Sequence, residues 1–95
     1  MTTAPPYLNL YLDHPRIGCG WRAYLVLRAG RKRARVICTE TAETITIDAA
    51  ILRAGRPLDL KRARLVRRLR QVARCYGLEK TAGVRDALAL LRAAA

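Results

Sequence analysis

The segment LKRARLVRRLRQVARCY, residues 60–76, decides most of the predicted fold. Its apolar residues recur at intervals of three and four positions, so they share one side of an α-helix. This stripe consists of Leu65, Val66, Leu69, Val72, Ala73 and Tyr76. Asp59 is expected to cap the helix, and Gly77 is expected to end it in a left-handed conformation. The segment therefore predicts an amphipathic helix that packs on another layer of the chain.

A second helix is predicted shortly after the first. Thr81 is expected to cap it, and the helical pattern runs from Ala82 to about Arg92. Its apolar stripe, spaced at i, i+3, i+4 and i+7, consists of Val84, Ala87, Leu88 and Leu91. The C-terminal third of the chain is therefore predicted to be a helical hairpin.

The first half of the chain has the patterns of β-strands. Four short segments alternate with period two or are rich in β-branched residues: 7–12, 21–28, 33–39 and 44–48. Gly30 is predicted to supply the positive φ of a tight hairpin turn, and residues 48–54 predict one helical turn. The predicted fold class is α+β, with an antiparallel four-stranded sheet packed on the helical hairpin. The sheet is expected to be a meander or a small SH3-like partial barrel.

We expect a single domain of these two parts. Residues 1–6 are predicted to be a disordered lead, residues 7–55 an antiparallel β module, and residues 56–95 a basic helical hairpin packed with it. A chain of 95 residues, of which 52% are hydrophobic, can form only a small core.

Charge is the most unusual property of the composition. Lys and Arg number 19 and Asp and Glu number 7, which gives a formal net charge of +12. Eleven of these units come from two pieces, +4 from residues 31–39 and +7 from residues 60–76, neither of which contains an acid. Like charges three and four positions apart on a helix repel, and cations in its first turn oppose the helix dipole. An external polyanion would relieve both costs, although a GC-rich coding sequence also enriches arginine without any function.

The two basic pieces define the predicted binding residues. In the helix they lie opposite the apolar stripe or in the first turn, and in the hairpin they surround its tip. The predicted nucleic-acid-binding residues are Arg31, Lys32, Arg33, Arg35, Lys61, Arg64, Arg67, Arg68 and Arg74. They are expected to contact phosphates, and with no clear base-reading signature the specificity is expected to be weak or based on shape.

The helical hairpin, residues 65–92, resembles the two-helix part of ribbon-helix-helix DNA-binding proteins. The matching features are Leu65, Leu69, Val72 and Ala73, then Gly77 and Leu78 at the turn, Thr81, and Val84, Ala87 and Leu88. In that family a strand before the first helix pairs with a dimer mate and enters the major groove. The resemblance places that strand at residues 56–60, where Arg56 would serve, and it leaves a homodimer open.

Two partner classes remain open at this stage. The first hypothesis is a small basic nucleic-acid-binding protein, with DNA favoured over RNA. The alternative is an inhibitor that binds an acidic protein or nucleoprotein surface without catalysis. In size and style the chain resembles accessory proteins of phages and mobile elements, including anti-CRISPR inhibitors.

Other function classes have little support in the sequence. One histidine, seven scattered acids and no glycine-rich phosphate loop argue against an enzyme, and no cofactor is expected. Three cysteines without C-x-x-C spacing predict neither a disulfide framework nor a metal site. No apolar run approaches the ~20 residues of a membrane span, and the chain is expected to be cytoplasmic and not to bind membranes.

Overall fold

A computed structural model of the chain describes residues 8–13, 21–58 and 60–93. The elements follow one another as β1 (Leu8–Asp13), β2 (Trp21–Ala29), β3 (Arg33–Cys38), β4 (Thr44–Asp48), α1 (Ala49–Arg53), β5 (Arg56–Pro57), α2 (Arg62–Tyr76) and α3 (Ala82–Ala93). The α+β class, with an antiparallel sheet and C-terminal helices, is thereby confirmed. The predicted lead at residues 1–6 lies outside the described residues.

The predicted number of four strands is wrong. The described residues form a five-stranded sheet in the order β4-β3-β2-β1-β5, with antiparallel pairing throughout. In the added strand, Pro57 lies opposite Leu10 and Arg56 opposite Tyr11. A two-residue strand is too short to show alternation, and Pro57 is tolerated there because β5 lies at a sheet edge. Strands β1 to β4 form a meander, after which the chain crosses over to place β5 beside β1 at the other edge. The described sheet is therefore open and not a barrel.

Both faces of the sheet are covered. Leu25 and Ile37 pack with α2 and α3 on one face, whereas Tyr24 and Val36 belong to a second cluster on the other face. Leu52 of α1 packs against that second cluster. Period-two alternation along residues 21–28 would put Tyr24 on the same side as Arg22 and Arg28, but Tyr24 is only 1% exposed.

Burial of Tyr24 also has an electrostatic consequence. Desolvation raises the pKa of its hydroxyl above the ordinary value of 10.0, and the nearby Cys38 raises it further. Cys38 lies directly opposite Tyr24 in the β2–β3 register and is itself buried. Tyr24 is therefore a neutral residue of the core.

The two long helices bury their predicted stripes against the sheet. From α2 the fully buried side chains are Leu65, Leu69 and Ala73, and from α3 they are Val84, Ala87 and Leu91. Gly83 is also buried, and a Cβ atom there would lie 2.8 Å from Thr44 Cβ and would overlap Thr44 Oγ1. The start of α3 therefore approaches the edge strand β4 as closely as a glycine allows.

The ends of α2 differ in part from the sequence prediction. Gly77 has φ of 69° and ends the helix in the predicted left-handed conformation. The helix begins at Arg62, so the N-cap is Lys61, which forms no side-chain capping bond; the predicted cap Asp59 lies outside the described residues. The last buried residue of α2 is Ala73, and the helix ends about one turn later at Tyr76. Because of this position, Tyr76 is 62% exposed.

The predicted cap of α3 has a different role. Thr81 directly precedes the helix, and its backbone carbonyl accepts the first helical hydrogen bond, from Arg85 N–H at 3.1 Å. Its hydroxyl, however, donates to the carbonyl of Leu78 at 2.7 Å. Thr81 therefore stabilises the turn between α2 and α3 through its side chain.

Candidate nucleic-acid interface

The nine predicted binding residues all have exposed side chains. They are Arg31, Lys32, Arg33 and Arg35 near the β2–β3 hairpin and Lys61, Arg64, Arg67, Arg68 and Arg74 on or just before α2. None of these cations is used to cover the core, so each is accessible to a ligand.

An arginine-lined concavity lies on the outward side of α2. Its charged lining is Arg62, Arg67, Arg70 and Arg74, and Gln71 also borders it. Of these, Arg67, Arg70 and Arg74 follow the spacing i, i+3, i+7, so they form one row along the helix. Four guanidinium groups around an open concavity present a multidentate site for phosphate oxygens.

The sequence prediction missed two members of this concavity, Arg62 and Arg70. The spacing of Arg70 from Arg67 and Arg74 contains the signal that could have identified it. Arg62 gives no such signal, because it lies near the apolar stripe and is only half-exposed. Three of the five residues predicted on or just before α2 do not line the concavity: Lys61, Arg64 and Arg68. Arg64 and Arg68 form a second, separate row four residues apart.

Within the described part of the chain, the charge of α2 is almost unpaired. Among the described residues the ion pair that forms joins Arg74 Nε to Glu79 Oε2 at 3.9 Å, with side chains 78% and 56% exposed. A pair this exposed contributes at most about 1 kcal/mol and is screened by salt. The carboxylates that the structure describes therefore do not neutralise the arginine rows.

The tip of the β2–β3 hairpin is held in place by backbone hydrogen bonds. Gly30 N–H donates to the carbonyl of Arg33 at 2.9 Å, and Ala49 N–H, at the start of α1, donates to the carbonyl of Lys32 at 2.8 Å. Gly30 does not have the predicted positive φ. Its small size is required instead, because a Cβ atom would lie 2.9 Å from the carbonyl oxygen of Arg33. The basic tip is thus anchored, and its cations are displayed from a fixed backbone.

Arg35 links the hairpin to the helices. It lines a concavity together with Leu78 and Thr81 of the α2–α3 turn and with Gly83. Arg28 lies opposite Arg35 in the β2–β3 register and extends the basic surface across the hairpin. One of the four predicted hairpin residues is therefore placed beside the helical hairpin.

Several acids lie outside α2 but beside the hairpin cations, since Asp48 lies opposite Arg33 in the β3–β4 register and Glu43 lines the same concavity as Arg35. Glu40, Glu43 and Asp48 are exposed in the β3–β4 turn and at the end of β4. Glu40 Oε2 accepts a hydrogen bond from Ala23 N–H at 3.3 Å, which fixes this carboxylate over the sheet. This segregation leaves the outward side of α2 positive.

The segment where the ribbon-helix-helix resemblance would place a DNA-binding strand has an intramolecular partner. Its first two residues, Arg56 and Pro57, form β5, which pairs with β1 of the same chain. Arg56, the residue that would serve in DNA contact, places its guanidinium carbon 4.9 Å from the ring centroid of Trp21. This cation–π contact holds both side chains at the β5 edge of the sheet.

The described part of the chain contains neither a cluster of metal ligands nor a membrane-spanning helix. Across residues 8–13, 21–58 and 60–93, no three His, Cys, Asp or Glu side chains are grouped as metal ligands would be. Within those same ranges, no helix combines the length and apolar character needed to cross a membrane.

Comparison with known proteins gives no relative from which to transfer a function. No protein-family model matches the chain, and searches of curated proteins and of solved structures give no significant match.

Proposed function

We propose that the chain is a small basic protein that binds nucleic acid through phosphate contacts, with DNA favoured over RNA. The observation that carries the proposal is the concavity on α2, which is lined by four arginines. Among the described residues, one carboxylate pairs with this lining, that of Glu79, which lies 3.9 Å from Arg74. Phosphate recognition favours arginine because its planar guanidinium can form two parallel hydrogen bonds to one anion.

The anchored hairpin tip supports the same proposal. Arg31, Lys32 and Arg33 are exposed on a loop whose backbone is tied to α1. A preorganised loop loses less conformational entropy on binding than a free one, so its cations contribute more to affinity. The nine residues predicted to contact phosphates are these three cations of the tip, together with Arg35, Lys61, Arg64, Arg67, Arg68 and Arg74.

Two triple variants of equal charge test the proposal. One variant changes Arg67, Arg70 and Arg74 to Gln. The control variant changes Arg53, Arg85 and Arg92 to Gln, three arginines that are exposed elsewhere on the protein. At 0.1 M salt, the first variant loses three phosphate contacts and is expected to bind on the order of 10²-fold more weakly. The control variant is expected to bind only slightly more weakly. Fluorescence anisotropy with labelled duplex DNA, single-stranded DNA and RNA measures both.

Equal losses in the two variants would show that net charge alone governs binding and would contradict the proposed interface. If no nucleic acid binds, the inhibitor hypothesis becomes the better one. A protein partner that persists after nuclease treatment would then support it, since the same arginines complement an acidic protein surface.

A further inference from the structure

We infer that α2 is a duplex-DNA-reading helix that enters the major groove, with Gln71 at the centre of its contact face. This inference rests on the proposed nucleic-acid binding and names its substrate class and a specificity-determining residue. It begins from the arrangement of side chains around α2.

The outward side of α2 carries cations on both flanks. Arg67, Arg70 and Arg74 form one row beside α3, since Arg70 and Arg74 also border the groove between the two helices. Arg64 and Arg68 form the second row, about 120° away around the helix axis at 100° per residue. Both rows are exposed.

Gln71 lies between the two rows. It is four residues after Arg67 and three after Arg68, so it neighbours a cation of each row on the helix surface. Its side chain is exposed and is the uncharged amide among these arginines. A glutamine in this position can form a bidentate pair with adenine N6 and N7 while the flanking arginines contact phosphates on either side.

The dimensions favour B-form DNA over RNA. A helix with its side chains is about 10–12 Å across, which fits the ~12 Å width of the B-DNA major groove. The major groove of A-form RNA is deep and narrow and excludes a helix. Fifteen residues give α2 a length of ~22 Å, enough to place both rows along the groove.

A single strand fits this face less well. Single-strand binding relies on aromatic side chains on which bases stack. Among the residues whose side-chain burial the structure describes, the exposed large aromatics are Trp21 and Tyr76. Trp21 stacks with Arg56, and Tyr76 lies at the end of α2 on the side of its apolar stripe. The outward face of α2 between Arg64 and Arg74 contains no aromatic residue.

The neighbouring helix lacks the same arrangement. The exposed charges of α3 include Asp86 next to Arg85, and a carboxylate on the contact face would repel phosphates. The two helices therefore differ in chemistry, and α2 is the one suited to the groove.

Selection from a randomised duplex DNA pool, followed by affinity measurements, tests the inference. The wild type is expected to enrich sites that contain a required adenine, and replacing that base pair is expected to weaken binding by about 5- to 150-fold. In Gln71→Ala this discrimination should disappear while the salt dependence stays unchanged. Arg67→Gln should instead weaken binding to all sequences and reduce the salt slope by about 0.9.

Thr46→Ala, on the exposed edge strand β4 and outside the α2 contact face, is the control and should keep the wild-type preference. Thermal melting of each variant verifies that the fold is intact. Unchanged base preference in Gln71→Ala, no enriched sequence, or tighter binding to duplex RNA or single strands would each overturn the inference and leave phosphate binding standing. Absence of binding to any nucleic acid would instead overturn the proposed function and this inference together.

Discussion

At the scale of single residues, the contact between Gly83 and Thr44 determines how closely α3 approaches the sheet. Gly83 is buried at the start of the helix, where glycine normally costs about 1 kcal/mol relative to alanine. The close approach to the Thr44 side chain explains why that cost is accepted. A larger residue would push α3 away from β4 and open the core near Val84.

Gly83→Ala is therefore expected to destabilise the protein by about 1–2 kcal/mol, because overpacking outweighs the gain in helix propensity. Chemical denaturation measures the change. Adding Thr44→Ala removes Oγ1 and Cγ2 and should recover a substantial part of the loss, which a double-mutant cycle quantifies. A more stable Gly83→Ala variant would contradict the described packing.

Single residues also show which structural features the sequence patterns could predict. The left-handed conformation of Gly77 was predictable because helix ends commonly require it. The role of Gly30 was not, because a close approach to the Arg33 carbonyl leaves no trace in the local sequence. Tyr24 was misplaced for a related reason: alternation shows which residues share a face, but not that α1 covers the second face.

At the scale of elements, α2 has a starting turn that opposes its own stability. Its N-cap is Lys61 without a capping bond, and its first turn contains no acid. Serine, threonine, asparagine or aspartate at this position would accept a hydrogen bond from a free N–H group. An arrangement that is unfavourable for folding and favourable for anion binding is consistent with selection for a ligand.

Lys61→Ser tests this reasoning in both directions. The free energy of unfolding is expected to rise by about 1 kcal/mol, from the new cap and the loss of a cation near the positive helix end. Affinity for duplex DNA should fall by about 3- to 8-fold at 0.1 M salt if one phosphate contact is lost. Denaturation and anisotropy measure the two changes, with Lys80→Ser in the α2–α3 turn as control.

A gain in stability without any loss of affinity would show that Lys61 does not contact DNA. A loss of stability would contradict the described start of α2.

The elements differ in how far the sequence could predict them. The apolar periodicity identified both long helices and their buried stripes, because each helix packs on one layer only. The two-residue strand β5 depends on its pairing with β1, a contact between segments far apart in the chain, and local patterns contain no information about it. The division of the α2 cations into two rows follows from helical geometry, whereas the concavity around Arg62 required the folded surface.

At the scale of the whole molecule, charge is segregated on the folded surface. Eleven of the twelve net positive charges come from the hairpin and from the segment that forms α2, and acids gather at the β3–β4 turn and β4. Positive surfaces of this kind attract a polyanion and raise the rate at which it meets the protein. Arg35, beside the α2–α3 turn, extends this positive surface from the helices toward the hairpin.

The most direct test of this account is the affinity of the wild-type protein for duplex DNA over a range of salt concentrations. If most of the nine predicted cations contact phosphates, a plot of log K against log salt should have a slope of about −5 to −8. Changing Arg67, Arg70 and Arg74 to Gln should reduce its magnitude by about 3. A slope near zero, or one that this triple variant leaves unchanged, would contradict the account.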